Sequence, residues 1–171
     1  MARTVDALRK YALNLGRGKK FLIDVSRHEY VDHKQSVEFE GYIIYVYSPD
    51  MIVCEKLRAI CQQMPEYSPI IRRARPGGAR ARDFVDIYYL VTILGLDLIT
   101  DRHQEMIAEM FDRKRVPLSL IGRIQHYREF HRADFAAVQA TMSPDIVLEA
   151  FDTYFDFTLD LVGRLKPLWD I

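Results

Sequence analysis

The spacing of apolar and polar positions predicts short strands near the start of the chain and helices after them. Residues 4–14 carry apolar side chains at helical spacing, whereas residues 21–26 and 37–48 are rich in β-branched and aromatic side chains, which favour strands. Later apolar positions recur at helical spacing, and helices are predicted at residues 48–64, 80–94, 101–112, 118–131 and 145–164. The predicted fold class is α+β, with a small N-terminal β-sheet followed by a mainly α-helical bundle.

The change from strand to helix falls at residue 48. Ser48 is a favourable N-cap, and Pro49 suits the first helical position. Gly41, inside the second predicted strand, is expected to mark a bulge. We therefore predict an α/β segment at residues 1–48 and a helical domain at residues 49–171.

Composition and charge exclude several protein classes. The chain has 171 residues, of which 49% are hydrophobic, so it is expected to bury a core rather than remain disordered. Its net charge is zero, so attraction to nucleic acid must come from local clusters. The apolar runs are too short to span a membrane and the N-terminus has no secretory signal, so we expect a cytoplasmic protein. Cys54 and Cys61 are expected to be small buried side chains, because one helix would hold them too far apart for a disulfide.

Three charged residues lie on two neighbouring predicted helices. Lys56 flanks the apolar stripe of the first helix, and Asp83 and Asp86 share a flank of the second. We predict that Lys56 approaches Asp83 across the two helices. An ammonium group beside carboxylates can hold a triphosphate and help to place a divalent metal. A structural salt bridge explains the same pattern, and the residue types alone favour it.

The surrounding sequence resembles the AbiEii/AbiGii family of nucleotidyltransferase toxins. SPDMIVCEKLRAI (48–60) contains the family's E-K-x-x-A helix, and RARDFVDIYYL (80–90) contains its R-D-x-x-D-[LI]-Y helix. The matching residues are Glu55, Lys56, Ala59, Arg82, Asp83, Asp86, Ile87 and Tyr88. The resemblance implies a bacterial toxin–antitoxin or phage-defence (abortive infection) protein that transfers a nucleotide from an NTP to RNA or protein, restrained by a cognate antitoxin.

The same resemblance implies roles for single residues. Lys56 would contact the nucleotide phosphates, and Asp83 would be a catalytic carboxylate that also binds or organises the metal. Asp24, at the end of the strand-like FLIDV (21–25), would complete a Mg²⁺ site. Mg²⁺ and an NTP are the implied cofactors, and residues 1–48 would be a partial nucleotidyltransferase-like segment. Glu55 and Asp86 are expected to be structural.

One element of the family pattern is missing from the sequence. The family's Gly-Ser helix and Asp-x-Asp strand supply two metal-binding carboxylates, and no Asp-x-Asp occurs before Asp24. Three explanations stay open: the chain is a fragment or starts late, another polypeptide supplies the motif, or the protein no longer catalyses. It is therefore uncertain from sequence whether the chain is an enzyme, and we expect it to be inactive by itself.

The segment between the two motif helices is strongly basic. RRARPGGARAR (72–82) has five arginines and no acid, and among them Arg75, Arg80 and Arg82 are candidate nucleotide-binding residues. We favour phosphate or RNA binding over a merely solvated loop. The alternative function is a non-catalytic RNA- or protein-binding module that retains the family's helical half.

The last predicted helix has an acidic face opposite an apolar one. A plain amphipathic helix packed on the bundle is favoured over a docking site for a basic partner. The acidic residues are Asp145, Glu149, Asp152, Asp156 and Asp160.

Overall fold

The N-terminal part of the described structure is a β-hairpin. The computed structural model describes residues 25–75, 77–143 and 145–170. Strands β1 (Gln35–Phe39) and β2 (Tyr42–Val46) pair in antiparallel orientation. Glu40 and Gly41 connect them with φ angles of 50° and 81°, as a two-residue type I′ turn requires. The fold class α+β is confirmed, but the single strand predicted at 37–48 is wrong because Gly41 lies in a turn and not in a bulge.

The other N-terminal predictions fall largely on residues without a description. The predicted helix 4–14 and residues 21–24 of the predicted strand 21–26 lie outside the described residues. Val25 and Ser26 are described and are not in a strand. No extensive contact joins the hairpin to a helix among the described elements.

Seven α-helices and two 3₁₀ helices follow in the described part of the chain. The α-helices are α1 (Pro49–Cys61), α2 (Ala81–Leu94), α3 (Asp101–Arg113), α4 (Arg128–Arg132), α5 (Phe135–Thr141), α6 (Phe151–Arg164) and α7 (Lys166–Trp169). The 3₁₀ helices are Pro65–Tyr67 and Leu118–Tyr127. None of these helices is long and apolar enough to cross a membrane.

Local signals explain the boundaries of the first three helices. Pro49 opens α1, and its fixed φ suits a first-turn position that has no intrahelical N–H bond to lose. Gly95 ends α2 in the left-handed conformation with φ 60°, and its N–H donates to the carbonyl of Val91. Thr100 caps α3 by accepting a hydrogen bond from the backbone N–H of His103.

One apolar core holds α1, α2 and α6 together. Phe84 of α2 is fully buried, and its ring centroid lies 5.1 Å from that of Phe155 and 5.6 Å from that of Phe151 in α6. On the other side α2 packs along α1. The predicted apolar stripe is fully buried, with Val53, Leu57 and Ile60 on α1 and Met64 three residues beyond its end. Cys54 and Cys61 are free and buried, as predicted.

The C-terminal half differs from the predicted helices in two places. Residues 118–131 form a 3₁₀ helix continued by α4, where Gly122 brings the backbone against the ring of Trp169. The helix predicted at 145–164 begins only at Phe151, because the backbone N–H of Glu149 donates to the hydroxyl of Tyr154 at 2.8 Å and not to a helical carbonyl.

The acidic face of α6 is bound by the protein's own arginines. Asp152 pairs with Arg128 at 2.6 Å and with Arg132 at 2.7 Å, and Arg128 also pairs with Asp156. The favoured interpretation of a helix packed on the bundle agrees with these contacts. Asp145 and Glu149 precede α6 and do not extend its acidic face.

We expect Gly122→Ala to displace Trp169. A Cβ atom at Gly122 would lie 2.3 Å from the Trp169 ring, so the ring must move, at a cost of roughly 1–3 kcal/mol for overpacking. The chain has one tryptophan, so its fluorescence reports the change directly. Gly163→Ala is the matched control, because no atom lies within 4 Å of its added Cβ. Identical emission from both variants would contradict this packing.

Candidate functional site

Lys56 lies between two carboxylates at the contact of α1 with α2. Its Nζ donates to Asp83 Oδ1 at 2.9 Å and to Asp86 Oδ2 at 2.8 Å. The side chains of Lys56 and Asp83 are only 17% and 10% exposed. The predicted approach of Lys56 to Asp83 is confirmed. Asp86 joins the same contact because it follows Asp83 by three residues on the helix.

Two arginines at the start of α2 complete the group. Arg80 Nε lies 2.7 Å from Asp83 Oδ2, as an ion pair whose orientation is not that of a hydrogen bond. Arg82 Nε donates to Asp86 Oδ1 at 3.3 Å. We call these five side chains, Lys56, Arg80, Arg82, Asp83 and Asp86, the Lys56 cluster. Every carboxylate oxygen in it contacts a cation.

The cluster keeps Lys56 charged. Burial lowers the pKa of Lys56, but the hydrogen bonds and negative charges of Asp86 and Asp83 outweigh burial and raise it above its ordinary value. An ammonium group has three N–H donors, and within the described residues two of them have acceptors. The third N–H remains for an anionic oxygen.

The first turn of α2 is held by side chains from the C-terminal half. The backbone N–H of Ala81 donates to Asp134 Oδ1 at 3.0 Å. The backbone N–H of Arg80 donates to His131 Nδ1 at 3.2 Å. Arg82 Nη1 donates to Thr141 Oγ1 at 3.4 Å. These contacts cap a helix whose own N-cap residue, Arg80, provides no side-chain cap.

His131 is neutral at physiological pH. Burial, and secondarily the positive charge of Arg80, lower its pKa to about 4. A neutral ring whose Nδ1 accepts the Arg80 N–H carries its proton on Nε2. That atom has no hydrogen-bond partner in the described structure. The His131 ring packs 5.0 Å from the ring of Phe84, so the residue joins the core to the start of α2.

The basic loop before α2 is folded against α1. A Cβ on Gly77 would lie 2.3 Å from the backbone oxygen of Gln63, and the Gly78 N–H donates to Gln63 Oε1. Arg73 donates to the carbonyl of Gln62 and to Ser68 Oγ. Gly77 therefore allows a close approach to the protein's own backbone.

The other candidate residues lie apart from the cluster. Arg75 is exposed and makes no hydrogen bond or ion pair to the cluster within the described residues. Asp24, the predicted metal ligand, lies outside the described residues. Glu55, expected to be structural, pairs with the buried Arg58 on the same helix.

The carboxylates of the Lys56 cluster do not form a donor set that fits Mg²⁺. No group of three or more His, Cys, Asp or Glu side chains comes together in the part of the chain that the structure describes. Asp83 and Asp86 are two carboxylates, and their oxygens already contact Lys56, Arg80 and Arg82. Magnesium needs several oxygen ligands in octahedral order, so this donor set fits an anion better than a metal. The assignment of Asp83 as a metal ligand stays a prediction.

A comparison with known protein families shows to which family the chain belongs. The model of the family described as "Nucleotidyl transferase AbiEii toxin, Type IV TA system" matches residues 6–157, which is most of the chain. The chain belongs to the AbiEii family. No curated protein and no solved structure matches it. The resemblance inferred from the two motif helices is thus confirmed over a range that includes both of them.

His131 and Asp134, which bind the start of α2 beside the Lys56 cluster, were missed by sequence reasoning. They follow the Arg80–Ala81 pair by about fifty residues, and neither has a metal-ligand or motif spacing. Asp134 directly precedes α5, so the sequence around it predicts only that it caps α5. Only the fold reveals that its carboxylate binds α2.

Proposed function

We propose that this AbiEii-family protein binds the phosphates of an NTP at the Lys56 cluster, as part of a nucleotidyltransferase toxin. The observation that carries the proposal is the charged, half-buried Lys56 held between Asp83 and Asp86. Both motif helices of the family meet at this point. The acceptor of the nucleotide is RNA or a protein, and a cognate antitoxin restrains the activity.

The geometry supports anion binding in two ways. The ammonium group of Lys56 has three N–H donors, and the one that is not used by Asp83 or Asp86 can donate to a phosphate oxygen. The side chains of Arg80 and Arg82 are 40% and 49% exposed, so their guanidinium groups can reach a ligand from solvent. Guanidinium forks match pairs of phosphate oxygens. Phosphoryl chemistry depends mainly on such positioning and charge stabilisation.

Mg²⁺ and an NTP are the proposed cofactors, and the cytoplasm is the proposed location. Transfer of a nucleotide needs carboxylates that hold metal ions on the phosphates. The described residues do not form that site. We therefore assign no step to them through a metal; in this proposal Asp24 and a motif supplied by another polypeptide would provide the metal-binding carboxylates.

The second candidate function is a non-catalytic binding module. Two exposed arginines of the basic loop, Arg72 and Arg75, favour it, because both are free of the Lys56 cluster in the described structure. In that case the cluster is a structural ion-pair network and the loop binds RNA through its phosphates.

Lys56→Gln should weaken binding of an NTP by about 10- to 100-fold, the loss expected for one charged hydrogen bond of roughly 1.5–3 kcal/mol. Calorimetric titration with ATP, with and without Mg²⁺, measures the effect. The double variant Lys56→Gln/Asp86→Asn also removes one of the two carboxylates that pair with Lys56, so the net charge of the cluster is restored, and it tests whether charge balance alone restores binding. Lys166→Gln removes an exposed lysine as a control. Equal affinity of all variants would refute the phosphate site.

The chain by itself should not transfer nucleotides, because its sequence has no Asp-x-Asp before Asp24 and the family's reaction needs those paired carboxylates to hold metal ions. The purified chain is incubated with Mg²⁺, each labelled NTP and total RNA. Label is then sought on the RNA and on the protein. Robust transfer that disappears in Asp83→Ala would show that a complete metal site exists in this chain.

RNA binding by the basic loop should depend on Arg72 and Arg75 and weaken steeply with salt. Their double substitution by alanine should remove about two phosphate contacts and reduce the salt dependence accordingly. Arg73 is left intact, because its contacts with Gln62 and Ser68 hold the loop. Filter binding to single-stranded RNA at several salt concentrations measures this. An unchanged slope would leave the module hypothesis without support.

A further inference from the structure

We propose that Asp134, assisted by His131, is a positioning residue for the Lys56 cluster. Asp134 acts by fixing the first turn of α2, which carries three of the five cluster side chains. Its effect on phosphate binding rests on the proposed function, whereas its effect on Lys56 can be measured without a ligand.

The contacts involve two adjacent backbone N–H groups at the start of α2. Asp134 Oδ1 accepts the N–H of Ala81 at 3.0 Å, and His131 Nδ1 accepts the N–H of Arg80 at 3.2 Å. These donors are among the four that a helix leaves unsatisfied at its N-terminus. A negative charge at this end also interacts favourably with the helix dipole.

The two residues whose N–H groups are bound in this way, Arg80 and Ala81, lie in or beside the Lys56 cluster. Arg80 carries the side chain whose Nε lies 2.7 Å from Asp83 Oδ2, and Asp83 is two residues beyond Ala81. Asp83 in turn accepts from Lys56 Nζ. A shift of the first turn of α2 would therefore move the Asp83 carboxylate, which contacts Lys56 directly.

The Asp134 carboxylate accepts a hydrogen bond from α2, although Asp134 directly precedes α5. Its side chain does not cap α5, whose first turn is closed by backbone hydrogen bonds from Ala137 and Val138 to the Asp134 carbonyl. Loss of the carboxylate therefore acts on α2 more than on the helix that Asp134 begins.

The test compares Asp134→Ala with Asp134→Asn, which keeps an oxygen acceptor for the Ala81 N–H. Thr100→Ala is the matched control, since it removes a side-chain cap of the same kind from α3, a helix outside the Lys56 cluster. The first readout is the chemical shift of the NMR signal of the Lys56 side chain. The second is the affinity for ATP. Thermal unfolding confirms that each variant is folded.

We expect Asp134→Ala to shift the Lys56 signal and to weaken ATP binding by about tenfold or more. Asp134→Asn and Thr100→Ala should resemble the wild type in both readouts. An unchanged Lys56 signal in Asp134→Ala would overturn the proposal, as would the same shift in Thr100→Ala. If the wild type binds no ATP while the Lys56 signal still shifts, positioning is supported and the phosphate-binding function fails.

Discussion

The structure around the site depends on an ammonium group held between two carboxylates at a helix contact. Removing charges from water is costly, and a half-buried ion pair repays that cost only with close geometry and further hydrogen bonds. Lys56 meets both conditions, with two acceptors within 2.9 Å. Arg80 and Arg82 then neutralise the outer oxygens of the same carboxylates. The contact between α1 and α2 is therefore specified by charge as well as by apolar packing.

Apolar packing sets the distance at which this charge network can form. Val53, Leu57 and Ile60 are fully buried on α1, and Phe84 and Ile87 are fully buried on α2. Phe84 also contacts α6 and His131. The side chain that fixes the position of α2 in the core thus touches the residue that binds its N-terminus. The helices α1 and α2 therefore contribute both to the apolar core and to the Lys56 cluster.

Local signals in the sequence were sufficient to predict α1, α2 and α3, because Pro49 and the spacing of apolar side chains are properties of neighbouring residues; the predicted N-cap Ser48 makes no side-chain capping hydrogen bond. The same local signals predicted the contact of Lys56 with Asp83, whose helices are joined by a single loop. The hairpin was missed because its turn, Glu40–Gly41, interrupts an otherwise continuous run of strand-forming residues. The start of α6 and the contacts of Asp134 depend on Tyr154 and Ala81, which are partners that only the tertiary structure brings near. No local pattern encodes such contacts.

The capping of α2 by residues from the C-terminal half has a consequence for the order of assembly. Contacts between residues about fifty positions apart must wait for the intervening chain to be made and to fold. During synthesis, α1 and the sequence of α2 leave the ribosome before Asp134 exists. The charged cluster therefore reaches its final form late, after the C-terminal helices have been synthesised and have packed. Nascent chains and C-terminally shortened products would carry all five cluster residues without the arrangement that they adopt in the finished protein.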